Sequence, residues 1–176
     1  MICILCGTNR LNSSTGKIAT IYSEILSNLS VEHTLVDLAK DFPQNFQLSP
    51  TMYHKTPPDF AAFQEKYLVP PEKFIILLPE YNGLFPGIFK LIVDLSDIKR
   101  VWNYKKICLV GIASGRGGNL RGLDAMSNAF HYLKAHVLPN KLPLSLINTQ
   151  LDAEGNLTQE ATRKAIEQQI QEFLVF

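Results

Sequence analysis

Apolar residues in this chain fall into short dense runs, separated by stretches in which they recur every third or fourth position. Strands are expected at 1–6, 33–37, 73–78, 106–112 and 143–147, and several of them are apolar nearly throughout, the pattern of strands covered on both faces. After the first run, Ile18, Tyr22, Ile25, Leu26 and Leu29 share one side of a predicted helix over 14–29. Leu120, Leu123, Phe130 and Leu133 give a second helix its inner stripe, and Ala161, Ala165, Ile170 and Phe173 a third. A shorter helix is expected at 58–68, after an irregular connection over 38–57 that carries Pro43 and Pro50. Strands alternating with helices predict an α/β domain whose sheet is mainly parallel.

Five parallel strands joined by right-handed crossovers leave few topologies. At 176 residues the common one is the flavodoxin-like three-layer sandwich, a five-stranded parallel sheet in the order 2-1-3-4-5. A six-stranded dinucleotide domain would need more chain, and no repeat or composition shift marks a second domain, so residues 1–176 are expected to form one. In this order strands 1 and 3 are neighbours whose crossovers leave toward opposite faces, so the loops after them should part and open a crevice. The connection over 38–57 is long enough for a lid or an oligomer contact, and equally suits a plain surface loop.

Composition narrows the partners. Lys and Arg number 17 against 16 Asp and Glu, a net charge of +1, so no single-sign field draws the chain to nucleic acid or an anionic membrane. The opening MICILCG has too short an apolar run, with no basic stretch before it, for a signal peptide or a membrane span, and a cytoplasmic protein is expected. Cys3, Cys6 and Cys108 all lie in apolar runs, and a strand places Cys3 and Cys6 on opposite faces, which favours buried thiols over a redox pair. His33, His54, His131 and His136 lack ligand spacing, so no metal is expected. Tyr53, Trp102 and Tyr104 suit core packing better than a substrate pocket or a dimer contact.

Three stretches carry more chemistry than a turn requires. In GTNRLNSST, residues 7–15, Thr8, Ser13, Ser14 and Thr15 bring hydroxyls to a helix N-terminus whose first N–H groups are unpaired, and Arg10 adds a cation. One hydroxyl is an ordinary N-cap; four with an arginine suit a phosphate. The spacing is not that of a Walker loop. In PEYNGLFPG, residues 79–87, Pro79 stiffens the strand exit, Asn82 and Gly83 can adopt positive φ, and Pro86 fits the start of a helix. A turn has no use for Glu80 and Tyr81 together, whereas a rigid loop can present backbone groups to a flat heterocycle. In GIASGRGGNLRG, residues 111–122, Ser114, Gly115 and Gly117 allow close backbone approach, and the serine spacing is not that of a nucleophile elbow.

Together these stretches resemble the NADPH-dependent FMN reductase family, the flavodoxin-like quinone and azo reductases. Gly7, Thr8, Arg10 and Ser13 match its phosphate loop, residues 79–83 its Pro-Glu-Tyr-Asn-Gly flavin loop, and Ser114–Gly118 its third flavin contact. Pro86, Gly87, Lys90 and Asp94 follow its next pattern, while Leu91 and Leu95 stand where the family often has Asn and Trp. The resemblance implies non-covalent FMN, NADPH or NADH as hydride donor, and a quinone, azo compound, flavin or metal ion as small-molecule electron acceptor. It also implies a homodimer or homotetramer. No catalytic acid–base dyad is expected; Glu80 fits a turn-stabilising or exposed role better than that of general base. A flavodoxin-type electron carrier and a non-catalytic FMN- or nucleotide-binding protein are the alternatives, the first disfavoured by the small net charge.

Overall fold

The computed structural model describes residues 1–176. β1 (Ile2–Cys6), β2 (His33–Asp37), β3 (Lys73–Pro79), β4 (Lys106–Ile112) and β5 (His136–Val137) run parallel in a sheet ordered β2-β1-β3-β4-β5, as the sequence predicts. Parallel pairing forces each connection across a face of the sheet. α1 (Ser14–Asn28) and α7 (Glu160–Val175) cover one face, and α4 (Gly87–Leu95) and α6 (Leu120–Tyr132) the other. Alternate strand residues divide between two cores. Cys3, Leu5, Phe74, Ile76 and Leu78 pack toward α4 and α6; Ile2, Ile4, Cys6, Ile75 and Leu77 pack toward α1 and α7. The three thiols are buried and unpaired, with Cys3 and Cys6 on opposite faces.

The fifth strand departs from expectation. In place of one strand at 143–147, β5 (His136–Val137) pairs with Lys106–Ile107 and β6 (Leu142–Leu144) with Val110–Ile112. Pro139 has no N–H for the ladder, and the chain detours before rejoining it. The gap is filled from α7. Buried Gln169 donates through Nε2 to Leu109 O (3.2 Å) and Asn140 O (2.8 Å), and its Oε1 accepts from the hydroxyl of Tyr22 (2.7 Å).

Smaller corrections concern helix faces. α1 ends at Asn28, leaving Leu29 exposed as its C-cap. Leu120, the first residue of α6, is exposed at the loop, and Leu123, Met126 and Phe130 carry the inner stripe. On α7 the larger Ile166 and Gln169 take inner positions where Ala161 and Ala165 were expected; Ala161 is exposed. The 58–68 helix consists of α3 (Pro58–Phe63) followed by a π-helical turn, Gln64–Leu68. The connection over 38–57 is not wholly irregular, since α2 (Leu38–Asp41) opens it, capped by the Asp37 side chain. α5 (Ile98–Val101) leads into Trp102, which lies in the core, whereas Tyr53 and Tyr104 are exposed. No helix is long and apolar enough to cross a membrane.

Candidate functional site

All three stretches lie at the carboxyl end of the sheet. Gly7 leaves β1 pressed against β3: its N–H donates to Leu77 O (2.9 Å), and a β-carbon there would stand 2.7 Å from the Leu78 side chain. Asn12 (φ 54°) then turns the chain into α1. Ser13 is the N-cap, its Oγ accepting from Gly16 N at 3.0 Å. The N–H groups of Asn12 to Thr15 find no acceptor within the chain, so this end of α1 retains unpaired donors beside the Ser14 and Thr15 hydroxyls. Ser14 Oγ donates to Asn148 Oδ1 at 3.3 Å, a neighbour 134 residues away that no motif marks. Arg10 is exposed.

The crossovers α1 and α4 leave toward opposite faces as expected, yet the first two loops do not simply part. The buried Thr8 hydroxyl and the Tyr81 hydroxyl lie 2.6 Å apart, and Arg10 N donates to Thr8 Oγ1 at 3.2 Å. The Arg10 guanidinium sits 5.5 Å from the centre of the Tyr81 ring. The Thr8 hydroxyl is thus engaged by the protein, and the phosphate-suited donors lie further along, from residue 12 onward.

In the second loop, Pro79 is the buried last residue of β3, and Glu80 N donates to Ile112 O at 2.7 Å. Tyr81 and Leu84 exchange two N–H···O=C bonds of 2.8 and 3.1 Å around Asn82 (φ 53°) and Gly83 (φ 81°). Positive φ at both central residues is the signature of a type I′ turn. The N–H groups of Glu80 and Tyr81 are therefore already paired, and those of Asn82 and Gly83 are the donors that remain. The Glu80 carboxylate accepts from Asn119 N at 3.1 Å. Pro86 caps α4, its carbonyl accepting from Phe89 N and Lys90 N.

The third loop leaves β4 with Ser114, Gly115, Arg116 and Gly117 exposed. It is strapped by Leu146 N to Gly115 O (2.9 Å) and by Leu120 N to Gly117 O (3.0 Å). No atom lies within 4 Å of a β-carbon built on Gly83 or Gly115, so both glycines border open space. Sequence reasoning missed Asn119. Buried at φ 62°, it donates through Nδ2 to Leu78 O (2.9 Å) and Pro79 O (3.2 Å), pinning the second loop from below. Its Oδ1 is buried without a partner, and Gly122 makes the room: a β-carbon there would stand 2.2 Å from that oxygen. An asparagine opening a helical run, with a glycine three residues later, was the available signal.

Beside Tyr81 lies a cleft of about 900 Å³ between the 38–53 segment and α4, lined by Asn9, Phe42, Phe46, Tyr53, Tyr81 and Leu91 among others. Lys90 and Asp94 pair at 2.5 Å on its rim. The arrangement offers a phosphate the unpaired N-terminus of α1 with Arg10 nearby. It offers a planar ring the Asn82 and Gly83 donors with glycine-bordered space around them.

Comparison with known proteins agrees. Residues 1–149 match the NADPH-dependent FMN reductase family. A 2-hydroxy-1,4-benzoquinone reductase from a Burkholderia species is 26% identical over 152 residues, covering 80% of this chain and 82% of that protein. An NAD(P)H-dependent FMN reductase of Pseudomonas aeruginosa is 27% identical over 119 residues, covering 65% and 63%. Among solved structures, the flavoenzyme NAD(P)H:(acceptor) oxidoreductase FerB from Paracoccus denitrificans superposes with a TM-score of 0.77 at 17% identity, over 99% of this chain and 94% of that one. The quoted motifs and the match to residues 1–149 thus point the same way, and the chain belongs to the NADPH-dependent FMN reductase family, oxidoreductases built here on a flavodoxin-like fold.

Proposed function

We propose that the chain binds FMN without a covalent link and carries hydride from NAD(P)H through it to a small-molecule acceptor of the quinone class. The observation that carries this reading is the convergence of three loops on one end of the sheet, with unpaired donors at the α1 N-terminus and at Asn82–Gly83. The named relatives, a quinone reductase and an FMN reductase, support it.

The chemistry that FMN supplies when bound is hydride acceptance from NAD(P)H and electron delivery to a second small molecule. The chain's residues bind and orient. Ser13, Ser14, Thr15 and the N–H groups of the first turn of α1 would hold the phosphate, with Arg10 supplying the countercharge. Asn82 N and Gly83 N would face the polar edge of the ring, where fixed donors also favour negative charge. Ser114, Gly115 and Gly117 would flank it. Either nucleotide can serve as donor in this scheme, and Arg116, exposed on the third loop, is the cation available to a 2′-phosphate. A single domain, assembly as a homodimer or homotetramer and a cytoplasmic location belong to the same proposal, on family resemblance and composition.

The test is the visible spectrum of purified protein after incubation with FMN, followed by anaerobic addition of NADPH or NADH. A flavin band that bleaches on nucleotide addition and returns with a benzoquinone is expected. Protein that stays colourless after FMN incubation sinks the reading; a band that does not bleach with either nucleotide leaves FMN binding and removes the hydride transfer.

A further inference from the structure

We infer that Glu80 and Tyr81 are positioning residues that clamp the 79–83 loop to its neighbours on both sides, so that Asn82 N and Gly83 N are aimed before a ligand arrives. The inference builds on the proposed FMN site. A type I′ turn is complete with Asn82 and Gly83, and the start of α4 with Pro86, so neither needs the side chains of residues 80 and 81. Those side chains reach across the fold. Tyr81 meets Thr8, 73 residues away, at 2.6 Å, and Glu80 meets the backbone of Asn119, 39 residues away, at 3.1 Å.

The two contacts fall on opposite flanks. Tyr81 closes the seam to the first loop, where its partner Thr8 is itself buried and held by Arg10 N. Glu80 closes the seam to the third loop, beside Gly117, whose β-carbon if present would stand 3.5 Å from the carboxylate. A third anchor lies beneath, where Asn119 Nδ2 holds the carbonyls of Leu78 and Pro79. A loop tied on three sides loses little freedom when it meets a ligand, and precise donor placement depends on such support. The Glu80 carboxylate is on an exposed residue and directed at a backbone N–H, so its work is accepting that hydrogen bond rather than taking a substrate proton.

The test uses the full chain with E80A, E80Q, Y81F, T8V and the T8V/Y81F double variant. Two readouts are taken: deuterium exchange of the hydrogen-bonded loop amides of Glu80, Tyr81 and Leu84 without ligand, and FMN affinity by quenching of flavin fluorescence. Amides of β3 in the same samples report on folding. E80A and Y81F should speed loop exchange and weaken FMN binding by about threefold to tenfold, the range for one net hydrogen bond. E80Q keeps an acceptor oxygen and should recover most of what E80A loses. T8V/Y81F should be no worse than T8V alone, because T8V already removes the Thr8–Tyr81 bond together with the Arg10 N contact, and Y81F then has nothing further to break. E80Q as poor as E80A, or T8V and Y81F effects that multiply, would overturn the clamp. If the unaltered chain takes up no FMN, the proposed cofactor fails, and the exchange arm alone decides: equal loop exchange in all proteins overturns the clamp, faster exchange in E80A and Y81F upholds it.

Discussion

Gly111, at the end of β4, lies so close to Gly118 that a β-carbon on Gly111 would stand 2.0 Å from the Gly118 carbonyl oxygen. The third loop folds back directly onto the strand it has just left, and backbone on that side cannot yield as a flexible side chain would. Gly111→Ala should therefore destabilise the fold by about 1–3 kcal/mol, the usual cost of overpacking. In a chain of this size that lowers the melting temperature by roughly 2–4 °C per kcal/mol, measurable by thermal unfolding.

Gly83 and Gly115 separate strain from access. Gly83 has φ 81°, so Gly83→Ala should cost about 1 kcal/mol of stability even though the space around it is open. Gly115 has no positive φ and equally open surroundings, so Gly115→Ala should leave stability within about 0.5 kcal/mol. If the third loop flanks FMN, the added methyl intrudes on the ligand and weakens binding by about tenfold, or 1.4 kcal/mol. Paired thermal melts and FMN titrations of the two variants check this.

Arg10→Ala should weaken FMN binding by about tenfold or more, the order expected from one charge-assisted hydrogen bond of roughly 1.5–3 kcal/mol. The effect should shrink as salt is raised, because the guanidinium is exposed. Titration at low and high ionic strength would show it, and an unchanged affinity would place the phosphate elsewhere.

The three buried thiols give the fold an alkaline limit. Burial, assisted by the charge of Asp41, pushes Cys3 up to about 12; burial, assisted by Asp37, does the same for Cys6. Cys108 is also pushed up by burial, with Glu172 contributing. The unfolded chain ionises its thiols around their ordinary value of 9.0, so the folded state holds more protons between 9 and 12. Their contribution is whole below pH 9 and is lost as pH rises across that window, at up to about 1.4 kcal/mol per pH unit for each thiol. Urea midpoints should fall from pH 8 to pH 11, and a thiol reagent at pH 8 should label native protein far more slowly than unfolded protein.

Gln169→Leu removes the amide that fills the gap between β5 and β6. Leu109 O and Asn140 O then lose their donor and the Tyr22 hydroxyl its acceptor. The two buried orphans, Leu109 O and the Tyr22 hydroxyl, cost about 1–3 kcal/mol each, so a loss of about 2–6 kcal/mol is expected, read as a lower urea midpoint with an unchanged slope.

Strands β1, β3 and β4 were legible because each is a bounded apolar run, and burial on both faces writes itself into composition, whereas β2, His-Thr-Leu-Val-Asp at the sheet edge, was legible mainly from the alternation of strands and helices. The fifth was not, because β5 and β6 are only two and three residues long and owe their place to pairing with β4. The type I′ turn at Asn82–Gly83 follows from residue type alone. The roles of Glu80, Tyr81 and Asn119 do not, since each depends on a partner dozens of residues distant. Asn119 in particular can turn inward only because Gly122 leaves space, a relation between side chains that no periodicity records.

The broken fifth strand has a bearing on association in crowded solution. Sheets aggregate when a straight, unpaired edge accepts a strand from a neighbouring molecule. Here that edge is two short segments separated by a detour, with Pro139 and Pro143 withholding donors, so it presents no continuous row of N–H and C=O groups. The opposite border, β2 at His33–Asp37, is the unbroken one. Edge-to-edge fibre growth would have to start there, and a proline at the outward-facing N–H positions of 33–37 is the change that would block it.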